Sequence, residues 1–232
     1  MVLRSHSGAS YRFDPGALCL ELLVTGGPGA FRRFEVLHEP ADLVTWAGRS
    51  RLTPTPALDV TEQDVGYARR VRDALFRVAV ARVCGGLPEF GVAGGGREDL
   101  DVINEAAAHP PLVPAIGGHG DGEGGGDGGG DRREWAGVAS GAQLLSTVAR
   151  DAVELLTGPY AGRVRMCSGE RCYLVYVDTS RPGRRRWCSM EHCGNLHKVR
   201  ALRARRSGDE PGPPEELRGE LQEKHRKELQ EG

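Results

Sequence analysis

Four cysteines constrain this chain more than any other feature of its sequence. They fall as Cys167-x4-Cys172 and, after a fifteen-residue spacer, Cys188-x4-Cys193. Each pair offers two thiolates from one tight loop, and the spacer is long enough to carry the chain back. Those are the ligands that a tetrahedral Zn²⁺ site needs. An iron–sulfur cluster accepts the same soft thiolates, but nothing in the sequence asks for redox chemistry. The reading is therefore one structural Zn²⁺ held by Cys167, Cys172, Cys188 and Cys193. Four thiolates close the coordination shell and leave no position for substrate or water, which argues against zinc catalysis. His192 and His197 are read as groups outside the ligand set. Cys19 and Cys84 sit in apolar runs and are read as buried small hydrophobes.

The spacer "YLVYVDTSRPGRRRW" reads as strand, turn, strand. Tyr173, Val175 and Val177 alternate with Leu174 and Tyr176, Pro182-Gly183 makes the turn, and Arg185 to Trp187 return. Gly169, inside the first pair, is expected to take the positive φ of a knuckle. The second pair leads into a helix with Ser189 as candidate N-cap. Leu196, Val199 and Leu202 form an apolar strip expected to pack on the hairpin. Knuckle, hairpin and helix make a small treble-clef-like zinc finger over 161–207. In so short a segment the metal supplies most of the folding free energy, about 10–16 kcal/mol in zinc-finger peptides.

Upstream, residues 1–160 read as one domain. With 39% hydrophobic residues, the chain can build a core. The clearest helix covers 61–83, where Val65, Ala68, Val71, Leu75, Val78 and Ala79 recur at three- and four-residue steps. Thr61 with Asp64 forms a capping pair, and Gly85-Gly86 ends the run. A second helix covers 139–157, with Leu145, Val148, Ala149, Ala152, Val153 and Leu156 on one side. Shorter helices are expected at 40–48 and 97–108, and a strand at 31–37. The fold class is α+β, with a mainly helical N-terminal domain and a few short strands. Ten of the fourteen residues in 117–130 are glycine, so this stretch is expected to be a disordered insertion. Residues 208–232 are expected to form a polar acidic appendage.

Charge is uneven. The formal net charge is −1, yet Arg163 to Arg206 hold twelve Lys/Arg against three acidic residues. Such a footprint suits nucleic acid, because each cation that meets a phosphate releases counterions. Arg181, Arg184, Arg185 and Arg186 near the turn are natural phosphate contacts. Asn195, Lys198, Arg200 and Arg203 on the following helix complete the candidate DNA-binding set.

The stretch "VDTSRPGRRRWCSMEHCGNLHKVRALRARR" resembles the CGNR zinc finger of bacterial regulators. Asp178, Ser180, Arg181, Arg185 to Met190 and Cys193 to Asn195 fall on its motif. The family's signature arginine is Leu196 here. The segment 14–160, opening on "LCLELLVT", is similar to ABATE, a family of proposed stress-induced transcription regulators, with Val24 where that family has asparagine. The resemblance implies a transcription regulator of the stress response, with a DNA-binding finger behind a regulatory domain.

The leading expectation is a zinc-binding transcription regulator in a reducing cytoplasm. Its four-cysteine finger binds DNA, and residues 1–160 sense a small-molecule or protein effector. The alternative is a zinc-dependent protein-interaction or RNA-binding module. No apolar run reaches the length of a membrane span, and "MVLRSHSGASYRFDP" has no signal-peptide core. An enzyme is not expected. "TGGPGAF" lacks the lysine and spacing of a phosphate-binding loop, and no nucleophile–base motif is present.

Overall fold

Helices in this chain begin and end where side chains can satisfy their free backbone groups. The structure, a computed structural model, describes residues 1–5, 8–117 and 131–207. A hairpin of β1 (Val2–Arg4) and β2 (Ser10–Arg12) precedes α1 (Leu18–Leu22) and α2 (Pro40–Arg49). Strand β3 (Leu58–Asp59) leads into α3 (Glu62–Cys84), followed by α4 (Arg97–Ala108), β4 (Pro114–Gly117), β5 (Arg132–Trp135), β6 (Ala139–Ser140) and α5 (Gly141–Thr157). Strands β7 (Val164–Met166) and β8 (Val175–Val177) belong with these in one compact unit, Met1–Cys193. Helix α6 (Asn195–Ser207) lies in the second, Gly194–Gly232. Among the described residues the strands pair only in twos, so the fold is α+β with a mainly helical N-terminal region, as expected.

The expected caps form. Thr61 Oγ1 accepts from the Asp64 amide at 3.3 Å, and the Asp64 carboxylate accepts from the Thr61 amide at 2.9 Å. Gly85 ends α3 at φ 79°, a left-handed value that glycine adopts without a Cβ penalty. Ser140 and Gln143 repeat the reciprocal cap at α5. A short parallel pairing of β3 with β6 sets the two capped ends side by side. They sit so close that a Cβ on Gly141 would lie 2.5 Å from the Asp64 side chain.

All six residues of the predicted α3 stripe are buried, and so are Arg72, Ala74, Phe76 and Val80. Helix α3 is wrapped on several sides, by α2, α4, α5 and β7, so its burial exceeds one amphipathic face. Arg72 enters this core because its charge is answered. Its guanidinium donates to both Glu35 oxygens at 2.7 and 2.8 Å and to Asp73 at 2.8 Å. A buried, paired charge of this kind is tolerated where an unpaired one is not.

That anchor explains why the strand expected at 31–37 is absent. Gly29–Phe34 is a 3-10 helix instead. It turns Phe31 inward against Phe76, Phe90 and Tyr173 and brings Glu35 to Arg72. The "TGGPGAF" stretch is therefore a turn that delivers Phe31.

The expected boundary at 160/161 falls inside the first unit, where Val164, Val175 and Val177 share the helices' core. Of the glycine-rich stretch, Gly117 pairs with Arg132 in the β4–β5 ladder. Residues 118–130, and the tail 208–232, lie outside the described residues. No described helix is long and apolar enough to cross a membrane.

Candidate metal centre

The hairpin β7–β8 carries the first cysteine pair in its loop. Val164 pairs with Val177 and Met166 with Val175, and Cys167 N donates to Leu174 O at 3.0 Å to close the loop's base. Cys172 N bonds to Gly169 O at 3.0 Å. The expected positive φ falls on Arg171, at 60°, and not on Gly169. Glycine at 169 answers a different need, since a Cβ there would lie 2.8 Å from the Cys193 sulfur. The second pair comes from the stretch after β8. Cys188 ends an irregular loop, and Cys193 sits in a one-turn π-helix, Met190–Gly194, ahead of α6.

These local structures bring all four cysteine sulfurs within 4.8 Å of one another. Cys172 Sγ lies 3.7 Å from Cys188 Sγ, and Cys188 Sγ lies 3.6 Å from Cys193 Sγ. Tetrahedral Zn²⁺ with bonds of about 2.3 Å requires sulfurs about 3.8 Å apart, so the set fits the ion. Cys167, Cys188 and Cys193 are buried. Hydrogen bonds from Cys172 and Cys188 pull the Cys167 thiol down to about 2, helped by the Cys188 and Gly169 amides. Hydrogen bonds to the Cys167 and Cys172 sulfurs, then burial, push Cys188 far up. Four sulfurs so placed cannot all ionise unless a cation sits among them, and Zn²⁺ supplies that charge. The site is one for a single structural zinc ion.

The hairpin read inside the spacer does not form. Residues 185–187 return toward the first pair, with Ser168 N donating to Arg186 O at 2.9 Å, but they form no strand. Side chains hold them. The buried Asp178 carboxylate accepts from Arg185 N at 2.8 Å, Ser180 N at 3.0 Å and Ser180 Oγ at 2.6 Å. Burial alone would raise the Asp178 carboxyl, but these donors hold it below its ordinary value. Tyr176 Oη donates to Arg185 O at 2.8 Å. β8 is thus paired on one edge by β7, while its far end is tied to 185–187 through side chains. The predicted alternation survives with both faces covered: Tyr173, Val175 and Val177 join the main core, whereas Leu174 and Tyr176 join the cysteines.

Sequence reasoning missed the hairpin β1–β2. Phe13 is buried in the cysteine cluster, and Leu3 and Tyr11 pack against it. The Tyr11 ring stacks on His192 at 4.3 Å and 13°, which gives that histidine a place outside the ligand set. Burial, then the cysteines' charge, pushes the Tyr11 hydroxyl well up. The signal lay in "VLR" and "SYRF" alternating around Gly8, which sits at φ 82°.

Of the expected DNA contacts, Arg181, Arg184 and Arg186 are exposed on the loop before Cys188. Arg185 is not spread into solvent. It donates to Trp187 O at 3.0 Å, to Cys188 O and to Asp14 O, and lies over the Tyr176 ring at 4.1 Å. Asn195, Lys198, Arg200 and Arg203 are exposed on α6. The strip Leu196, Val199 and Leu202, expected to be buried, is 44–45% exposed. Cys19 is buried as expected, and burial, then Asp151, holds its thiol well above the ordinary range. Cys84 is exposed, against expectation, because it falls in the last turn of α3.

Two protein families match the chain. The family described as "Putative stress-induced transcription regulator", ABATE, matches residues 16–159. The CGNR zinc finger matches residues 163–206. No curated protein matches.

Proposed function

We propose, on the premise that the chain belongs to the ABATE family and carries a CGNR zinc finger, that this zinc-binding regulator grips DNA through its metal-ordered loop and α6. Zinc on Cys167, Cys172, Cys188 and Cys193 fixes the loop. Arg181, Arg184 and Arg186 meet phosphates from the loop, and Asn195, Lys198, Arg200 and Arg203 are the contacts proposed for α6. Arg185 braces the loop from within. Residues upstream of the finger sense an effector, and the protein works in the cytoplasm. The zinc is structural, because four thiolates leave no open coordination position, and no catalytic role is proposed.

The observation that carries this reading is the exposure of Arg181, Arg184 and Arg186 on a segment the cysteines cross-link. Its test is duplex DNA binding by the zinc-loaded chain across a salt series. Log affinity is expected to fall against log salt by about 0.9 per phosphate contact. Arg184→Gln with Arg186→Gln should flatten that slope by about 2. Zinc-loaded protein with no salt-dependent DNA affinity overturns the reading. That result would favour a protein-interaction finger, for which the exposed Leu196, Val199 and Leu202 are the specific indication.

A further inference from the structure

Between the β1–β2 hairpin and the loop that approaches Cys188 lies an open cavity of about 940 Å³. Its volume sits within the roughly 300–1,000 Å³ typical of small-molecule sites. Trp187 and Met190 give it an apolar floor backed by the buried Phe13, and Arg12, Arg184 and Arg186, the last over the Trp187 ring at 5.2 Å, line it with positive charge. The floor is not fully covered by protein, since Met190 is 53% exposed. Asp14 also lines the cavity, but Arg51 already pairs with it at 2.8 Å. Arg185 lines it too and is committed to backbone carbonyls. Arg12 and Arg184 make no ion pair with any described residue.

An indole beside unpaired guanidinium groups matches a ligand with a flat ring and a compact anion. The ring stacks, or lies against apolar carbon, while arginine forks hold oxyanions by paired charge-assisted hydrogen bonds. A bare phosphate would leave the apolar floor wet, and an uncharged ring would leave the arginines unanswered. We propose that this cavity is a binding site for a nucleoside monophosphate, with the base against Trp187 and Met190 and the phosphate at Arg12 and Arg184. The site joins the hairpin to the zinc-held loop, so its ligand bears on the segment that presents Arg184 and Arg186. In that respect it rests on the effector-sensing half of the proposed function, but the binding itself is measured without DNA.

The test is calorimetric titration of the zinc-loaded full chain with AMP and GMP, and in parallel with adenosine and inorganic phosphate. At least one nucleotide is expected to bind ten times or more tightly than either half-ligand. Arg12→Gln and Arg184→Gln should each weaken it about tenfold, the loss of one charge-assisted contact. Both should keep their zinc, and Arg97→Gln on α4 should bind as the parent does. Nucleotide should quench fluorescence in the parent and not in Trp187→Phe. Affinities equal to that of inorganic phosphate, or indifferent to both arginine substitutions, overturn the proposal. DNA binding with no nucleotide binding would overturn it while leaving the DNA reading intact.

Discussion

The helical body and the cysteine-bearing loops are held by different physics, and β8 is where the two meet. Around α3 the stabilising term is apolar burial, with Val71, Leu75, Leu144, Leu145 and Val148 all at 1% exposure or less. Around the cysteines the buried set is small: Phe13, Tyr176 and three of the four sulfur-bearing residues. Below a certain size a cluster cannot remove enough apolar area from water to offset chain entropy, and a metal cross-link takes over. Strand β8 gives Val175 and Val177 to the first cluster and Tyr176 to the second. The finger is therefore not a separate bead. Its hairpin is anchored in the body, while the loops at its tip depend on metal.

Removing the metal should separate the two regions most strongly. Cys188→Ser, or a strong chelator, should abolish stoichiometric zinc and disorder the 167–193 loops, removing up to about 10–16 kcal/mol of metal-linked stability. Far-UV circular dichroism should keep most of its helical signal, because α2 to α5 are held mainly by apolar burial among themselves. Complete loss of helix on zinc removal would show that the body and loops fold as one. The converse variant, Leu145→Ala, opens a cavity at a fully buried site. It should cost about 2–5 kcal/mol in chemical unfolding while zinc content stays at one per chain.

Asp178→Asn should loosen the loop without touching a metal ligand. The carboxyl is held below its ordinary value, so its contribution is present above about pH 4 and is lost as pH falls through the lowered folded value. At neutral pH the variant should be about 1–3 kcal/mol less stable. Midpoints of parent and variant should converge on acidification, and a gap that does not begin to narrow below about pH 4 would rule out this role. The smallest effect belongs to the body: Thr61→Ala should cost about 1 kcal/mol, read as a lower thermal midpoint with no change in zinc affinity.

The α3 cap, stripe and terminating glycine were legible because they are local. A side chain three residues away or a helical step of about 3.6 decides them. The metal ligands were legible for the same reason, as two short loops each supply a close pair. The strand expected at 31–37 failed because Arg72, thirty-seven residues from Glu35 in sequence, demanded that carboxylate. The returning strand at 185–187 failed because Asp178 and Tyr176 satisfy its backbone from the side.

By itself, the sequence determined the helical body, the one-zinc cysteine set and the concentration of positive charge in the last described part of the chain. Each is a property of neighbours along the backbone or of composition. Tertiary structure alone decided that Arg185 braces while Arg184 stays exposed, that Gly169 is required for space beside Cys193, and that the β1–β2 hairpin covers the metal cluster. Those outcomes depend on which distant groups share one small volume, and spacing along the chain carries no record of that.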